Sequence, residues 1–248
     1  MNEIILTNYK TLHPDMLMDI RILKMNSGES YKILKAEEET AVLLQKGKIT
    51  LLWDSEEKTV SRKDVFTEGP WCLHVSAGTG IKIGVLTDDT TVLIQNTHND
   101  KKFPAKLYSP DDAPWNDVCP GKFGDTANRK VNTIFDYNNA PYSNMVLGEV
   151  INDRGNWSAY IPHHHPQPEV YYYLFDRPEG FGASFIGDEV FKITDGSISA
   201  IPGGLTHPQV CAPGYQMYTC WMIRHLPNNP WTTRIDDPRY TWLYDAEF

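Results

Sequence analysis

The sequence predicts an all-β protein of the sandwich or barrel type, built from two β-rich halves. Short runs rich in apolar, aromatic and β-branched residues recur along the chain, and Gly, Pro, Asn and Asp separate them. No stretch of a dozen residues has the apolar periodicity of an amphipathic helix. With 41% hydrophobic residues among 248, the chain can bury a core, which argues against disorder.

The predicted strands form one group in each half of the chain. In the first half they cover residues 40–45, 49–53, 81–86 and 91–95. In the second half they cover residues 145–151, 169–175, 182–186, 190–193, 197–201 and 215–224. Turn formers such as Asp195-Gly196 lie between these runs, and Lys46-Gly47-Lys48 is predicted to end the first strand.

A proline-rich stretch divides the two halves. It carries Pro104, Pro110, Pro114 and Pro120, a composition typical of a connecting segment. We therefore predict a first domain over residues 1–105, a connection over 106–128 and a second domain over 129–248. A weak likeness between residues 62–74 and 195–207 suggests that the halves arose by duplication.

Composition narrows the classes of partner and the compartment. The net charge of −9, without a basic stripe, argues against nucleic acid or an anionic membrane as a partner. No run approaches the roughly 18 apolar residues of a membrane span, and the N-terminus lacks signal-peptide character. The four cysteines show no metal-finger spacing and are expected to be buried thiols. We expect a cytoplasmic protein that acts on a small molecule, with a homo-oligomer left open.

Three histidines and one glutamate form the strongest functional signal. On an extended strand His163 and His165 share a face, and Glu169 opens the next strand-like run. His207 follows a Gly/Pro-rich turn. Imidazole and carboxylate groups are the ligands of catalytic transition-metal sites. An exposed polar loop is the alternative interpretation of the histidine triplet, in which His164 is a bystander.

These residues resemble the two motifs of the cupin superfamily. The pattern HxH-x3,4-E fits at His163, His165 and Glu169. The pattern G-x5-PxG-x2-H fits without a gap at Gly196, Pro202, Gly204 and His207. The resemblance implies two tandem cupin domains, each a jelly-roll β-barrel. It also implies that His163, His165, Glu169 and His207 bind a divalent transition metal, with zinc expected and manganese or iron as alternatives.

A narrower resemblance is to the 5-deoxy-glucuronate isomerase family of bacterial inositol catabolism. It rests on residues 156–165, 169–173, 178–182, 212–215 and 236–242. It implies a two-cupin enzyme with metal in the second cupin only. The implied activity is an aldose–ketose isomerisation of 5-deoxy-glucuronate to 5-dehydro-2-deoxygluconate. The short spacer Pro166-Gln167-Pro168 departs from the longer acidic insertion of that family.

The isomerisation requires a base, and the sugar acid requires a cation. Tyr171 and Tyr173, on the same strand face as Glu169, are candidate catalytic residues beside a metal-bound hydroxide or a residue of the first half. Core packing is the competing interpretation of both tyrosines. Arg224 is the arginine proposed for the substrate carboxylate.

Other arginines and other functions stay open. Arg234 and Arg154 are further candidates for the carboxylate, and Arg129 is expected to brace the connection. The alternative enzymes are a 4-deoxy-5-keto-uronate isomerase and a metal-dependent dioxygenase, which could use the same ligands. A non-catalytic sugar-binding cupin is the alternative outside the enzymes.

Overall fold

A computed structural model of the chain describes residues 1–246. Over these residues the chain consists of strands, turns and two short 3₁₀ helices at Pro14–Met16 and Thr241–Tyr244, without an α-helix. The predicted all-β, cupin-type fold class is confirmed. No helix among the described residues has the length and apolar character needed to cross a membrane.

The chain divides into two compact units. The first comprises Met1–Pro114 with Ala140–Asn144, and the second comprises Trp115–Asn139 with the chain from Met145 onward. The strands of the first unit are β1 (Asn2–Thr7), β2 (Asp19–Met25), β3 (Ser30–Ile33), β4 (Glu38–Trp53), β5 (Glu56–Arg62), β6 (Trp71–Val75), β7 (Ile81–Val85), β8 (Thr90–His98) and β9 (Lys106–Tyr108).

The second unit contains the remaining strands of the chain. They are β10 (Asn116–Val118), β11 (Arg129–Phe135), β12 (Met145–Asn152), β13 (Trp157–Ser158), β14 (His163–His164), β15 (Glu169–Phe175), β16 (Phe181–Ile186), β17 (Glu189–Thr194), β18 (Ile198–Ile201), β19 (Gln209–Cys211), β20 (Met217–Arg224) and β21 (Ile235–Asp236). The segment predicted as a connection contributes β9 and β10, which pair with β6 and β11.

Strand β4 runs through the predicted break at Lys46-Gly47-Lys48, so that prediction is wrong. Its first half pairs with β6 and β8, and its second half pairs with β5 and β7. The pairing register shifts between Leu44 and Lys46, where Gly47 adopts a φ of +107°. A bulge with a glycine bends a strand without ending it. One strand therefore serves both layers of the first unit.

The two units share one strand order. In the first unit the order is β1-β2-β8-β4-β6, and in the second it is β11-β12-β20-β15-β18. The other layers also correspond, since β3 pairs with β7 as β13 pairs with β19. The two halves are therefore two copies of one antiparallel topology.

This correspondence shows which residues of the first unit occupy the positions of the predicted metal ligands. Glu169 pairs with Ile201, the last residue of β18, and Thr40 pairs with Val75, the last residue of β6. Thr40 thus occupies the position of Glu169 and supplies no carboxylate.

The position of His207 has a counterpart as well. Ile81, at the start of β7, pairs with Trp53 at the end of β4. In the second unit the ladder between β16 and β19 continues past Pro208 to Thr206, which places His207 opposite Ile186 at the end of β16. Ile81 is buried in the apolar core of the first unit and supplies no imidazole.

The second unit buries an aromatic core between its layers. Residues of β15 and β20 dominate this cluster, which consists of Val146, Tyr171, Tyr173, Phe175, Ile193, Ile201, Cys211, Met217, Trp221 and Ile223. Alternation along β20 places Thr219, Trp221 and Ile223 on one face. That face turns toward the cavity described below, because all three residues line it.

Gly148 on β12 is required by the close approach of an indole. Gly148 pairs with Trp221 on β20, and a Cβ at Gly148 would collide with the Trp221 ring and lie 2.6 Å from the Asn132 carbonyl oxygen. We predict that Gly148→Ala lowers the free energy of unfolding by about 1–3 kcal/mol, because the indole must move in a packed core. Urea denaturation measures the change.

Gly80→Ala is the matched control, because its Cβ would meet only Leu34 Cδ1 at 4.0 Å. We expect the control to shift the free energy of unfolding by less than about 1 kcal/mol. Equal effects of both variants would contradict the packing argument.

Candidate metal centre

Four side chains from four segments meet at one end of the second unit. His163 lies on β14, His165 on the following loop, Glu169 at the first position of β15, and His207 on the loop before β19. All four residues are buried. The ligand atoms of His165, Glu169 and His207 all lie within 4.8 Å of one another.

The carboxylate of Glu169 is the centre of this group. Its Oε2 atom lies 3.1 Å from His165 Nε2 and 3.3 Å from His207 Nε2. His163 completes the group, since its ring centroid lies 4.9 Å from that of His207 and its side chain lines the same cavity. The structure therefore brings together the four residues that the spacing predicted as ligands.

Backbone carbonyl groups orient all three imidazoles. A carbonyl oxygen can only accept, so each Nδ1 carries the proton and donates it. The acceptors are Ile161 O for His163 (2.9 Å), Gln167 O for His165 (3.0 Å) and Leu205 O for His207 (2.9 Å). In a neutral ring this leaves the lone pair on Nε2, which is the arrangement that second-layer partners give to metal-binding histidines.

Burial favours the neutral form of His163 and His207. It lowers the pKa of His163 to about 2, with the neighbouring His207 and Arg234 acting in the same direction. Burial also lowers the pKa of His207, although the nearby Glu169 carboxylate opposes that shift. Neutral imidazole is the form that binds a metal ion.

Two loops pack together so closely that only glycine fits between them. A Cβ at Gly203 would collide with the carbonyl group of Pro166. The next residue, Gly204, donates its N–H to His165 O at 2.7 Å. These contacts hold the loop that carries His207 against the loop that carries His165.

The donor set fits a divalent transition metal. Three imidazole nitrogens and one carboxylate oxygen are the ligands that zinc, manganese and iron accept. His207 Nε2 has no hydrogen bond of normal geometry although it is fully buried, so its lone pair is free for coordination. The His/Glu cluster is thus compatible with a metal site.

A cavity of about 160 Å³ opens beside the cluster. Residues of both layers and of the C-terminal segment form its wall: Val131, Val150, Ser158, Ala159, His163, His165, Glu169, Tyr171, Gln209, Thr219, Trp221, Ile223, Trp231 and Arg234. The wall combines apolar side chains with a few polar groups and one cation, a composition typical of small-molecule sites.

The two predicted tyrosines have different surroundings. Tyr171 lines the cavity together with Glu169, close enough to interact electrostatically with its carboxylate. Burial, reinforced by Glu169, raises the pKa of Tyr171 well above the usual value, so the phenol holds its proton. Tyr173 does not line the cavity, and its hydroxyl lies 3.1 Å from Ser199 Oγ and 3.3 Å from Ser184 Oγ.

The structure separates Arg224 from the cavity. Arg224 and Ile223 are adjacent on β20, so their side chains point to opposite faces, and Ile223 faces the cavity. The Arg224 guanidinium donates to the carbonyl oxygen of His225. Arg154 is half exposed and forms an ion pair with Asp176 at 2.8 Å.

Arg234 is the arginine that lines the cavity. Its Nε atom lies 3.0 Å from Asp236 Oδ1, which orients the guanidinium. Arg129 is buried close enough to Arg234 and Tyr171 to interact with both electrostatically, and it donates to Ala127 O at 2.8 Å. Burial, which is the main cause, lowers the pKa of Arg129.

Several polar wall residues were absent from the sequence-based set. None of Ser158, Gln209, Thr219 and Trp231 was named as a site residue, although Ser158 lies within the run 156–165 that resembles the family. Alternation along the run 215–224 was a usable signal for Thr219, because it lies an even number of positions from Trp221 and Ile223. The position of Trp231 comes from the path of a loop, which alternation cannot give.

Comparison with known proteins gives one family. A family model described as the KduI/IolB family matches residues 2–243. A 5-deoxy-glucuronate isomerase from Bacillus subtilis (strain 168) is 26% identical, over 92% of this chain and 88% of that protein. A 5-deoxy-glucuronate isomerase from Lacticaseibacillus casei is 24% identical, over 92% of this chain and 88% of that protein.

Solved structures show the same fold. An IolB-like protein from Salmonella typhimurium LT2 matches with a TM-score of 0.84 and 18% identity, over 92% of this chain and 90% of that chain. An oxalate decarboxylase from Lactobacillus farciminis, in a formate complex, matches with a TM-score of 0.69 and 11% identity, over 99% of this chain and 86% of that chain. At these identities the likeness is evidence for the cupin fold alone.

We predict that His207→Ala removes the metal while His164→Ala retains it. His207 Nε2 lies 3.3 Å from Glu169 Oε2, whereas His164 is half-buried, lies beside His163 on β14 and lines no part of the cavity. Elemental analysis by mass spectrometry should find about one ion per chain in the wild type and in His164→Ala, and below about 0.1 in His207→Ala. Equal metal content in the two variants would contradict the assignment.

Proposed function

The chain belongs to the KduI/IolB family, and on that basis we propose that it isomerises 5-deoxy-glucuronate to 5-dehydro-2-deoxygluconate in inositol catabolism. The observation that carries the proposal is the match to relatives named 5-deoxy-glucuronate isomerase over 92% of the chain. The cavity beside the His/Glu cluster supports it, since a sugar acid needs both a polar wall and a cation.

We propose His163, His165, Glu169 and His207 as the ligands of the resident metal. Zinc is the first choice for this donor set, and manganese and iron are the alternatives. A divalent ion bound there would withdraw electrons from the substrate carbonyl group and so acidify the C–H of the neighbouring hydroxyl-bearing carbon. The Nδ1–carbonyl hydrogen bonds keep the three imidazoles in the tautomer that coordination needs.

Tyr171 is proposed as a proton donor to a substrate oxygen. An aldose–ketose isomerisation moves one proton between neighbouring carbons and another between their oxygens, so it uses a group that holds a proton inside the cavity. Its place in the cavity wall and its raised pKa give Tyr171 that character. Tyr173 supports Tyr171 from the next inward position of β15 and is proposed to position it.

Arg234 is proposed to bind the substrate carboxylate in place of Arg224. It is the cation that lines the cavity, and Asp236 orients it through Nε. With Nε beside Asp236 and Nη2 3.5 Å from the Tyr244 hydroxyl, the guanidinium keeps Nη1 for the substrate carboxylate. Arg129 strengthens the positive field near Arg234 and Tyr171.

Turnover of the substrate should require the metal ion and should not require oxygen. The metal-loaded protein should convert 5-deoxy-glucuronate at the same rate with and without oxygen, because isomerisation consumes none. Removal of the ion with a chelator should lower kcat/KM at least about 100-fold, and zinc should restore it. Proton NMR of the aldehyde signal follows the reaction. Full activity after complete metal removal, or turnover that requires oxygen, would refute the proposal.

Arg234 should contribute to binding of the substrate carboxylate rather than to the catalytic step. Arg234→Gln should raise KM about 10-fold to 100-fold with little change in kcat, because one charge-assisted interaction with the bound acid is lost. Arg177→Gln, at an exposed position, is the control and should leave both constants unchanged. If Arg224→Gln raised KM while Arg234→Gln did not, the sequence-based assignment to Arg224 would replace this one.

A further inference from the structure

The cavity wall contains neutral polar side chains that neither the metal centre nor Arg234 uses. Ser158 and Gln209 are neighbours on β13 and β19 of the four-stranded layer. Thr219 comes from β20 of the six-stranded layer. Their exposed fractions are 1% for Ser158, 2% for Gln209 and 0% for Thr219. Both layers thus present deeply buried polar groups to one cavity.

These groups lack hydrogen-bond partners within the protein. No described protein group is hydrogen-bonded to the buried atoms Ser158 Oγ, Gln209 Oε1 and Thr219 Oγ1. The same holds for the indole nitrogens of Trp221 and Trp231. Proteins satisfy the great majority of buried polar atoms, because an unsatisfied one destabilises the fold. Five such atoms around one cavity indicate that a polar ligand supplies the missing partners.

Hydroxyl groups just outside the cavity show the contrast. Ser199 and Ser184 are buried on the same two layers, and their Oγ atoms lie 2.9 Å apart. The Tyr173 hydroxyl joins them at 3.1 Å and 3.3 Å. This hydroxyl cluster, which does not line the cavity, is satisfied within the protein. The hydroxyl groups of Ser158 and Thr219, which do line it, have no such partners.

We propose that Ser158, Gln209 and Thr219 form a subsite for the hydroxyl groups of a sugar acid, with the indole N–H groups of Trp221 and Trp231 as additional donors. The inference rests on the proposed function and names the groups that select its substrate. Neutral donors and acceptors suit hydroxyl groups, whereas the carboxylate requires the charge of Arg234. A site built to hydrogen-bond a hydroxyl group rejects an analogue that lacks it.

Removal of one of these hydroxyl groups should have opposite effects on ligand binding and on the stability of the free protein. Removing a buried, unsatisfied hydroxyl should leave the free protein at least as stable, whether a methyl group of the same shape replaces it, as in Thr219→Val, or a hydrogen atom does, as in Ser158→Ala. The same replacement should weaken ligand binding. A purely structural role predicts the opposite effect on stability, so the two measurements together identify a binding residue.

Thr219→Val and Ser158→Ala test the two layers separately. Calorimetry with D-gluconate, a sugar acid without an aldehyde to isomerise, gives Kd independently of turnover. We expect each variant to weaken binding about 10-fold and to keep its metal content. We also expect the melting temperature of the free protein to stay level or rise by about 2–4 °C. Thr91→Val on β8, the counterpart of β20, is the control and should change none of these quantities.

Turnover of 5-deoxy-glucuronate by the wild type distinguishes failure of this subsite from failure of the proposed function. Variants that bind gluconate as tightly as the wild type, or a metal-loaded wild type that does not bind it, would overturn the subsite. Neither of these two results would contradict the proposed isomerase activity, which turnover measures separately. Gluconate binding that depends on Thr219 and Ser158 without turnover would support the subsite and refute the isomerase.

Discussion

The buried carboxylate of Glu169, held between the imidazoles of His165 and His207, is the constraint on which the site depends. A carboxylate removed from water needs a compensating positive charge. The Nε2 atoms of His165 and His207 lie 3.1 Å and 3.3 Å from it, and because each Nδ1 donates to a carbonyl group, the lone pair of a neutral ring faces the same oxygen. Lone pairs repel a carboxylate, whereas a divalent cation among the four side chains would attract both.

The fold alone does not create this site, since the same strand order occurs twice. In the first unit Thr40 and Ile81 occupy the positions of Glu169 and His207, and an apolar cluster contains Ile81. The second unit differs by its ligands and by the contact of Gly203 with Pro166, which brings two ligand loops together. The candidate metal ligands therefore lie in one of two units with the same strand order, while the other unit keeps a packed apolar core.

The sequence predicted the candidate ligands better than their surroundings, for a physical reason. Ligand spacing is local, so the motif around His163 and His207 is visible in the letters, and strand alternation placed Tyr171 inward. Arg234 and Trp231 reach the cavity through an irregular C-terminal segment whose path depends on tertiary packing. Lys46-Gly47-Lys48 resembled a turn because glycine marks a bulge and a strand end equally well. These features are set by the partner strands and loops, which no short window contains.

In the proposed function, the metal, Arg234 and the neutral wall residues recognise different parts of a sugar acid, and the metal decides whether the other two have a function. Anomalous X-ray scattering from crystals of the metal-loaded protein, recorded on both sides of the metal absorption edge, measures it most directly. The account predicts one peak in contact with Nε2 of His163, His165 and His207 and with a carboxylate oxygen of Glu169. An ion bound elsewhere, or no ion in crystals of fully active protein, would contradict it.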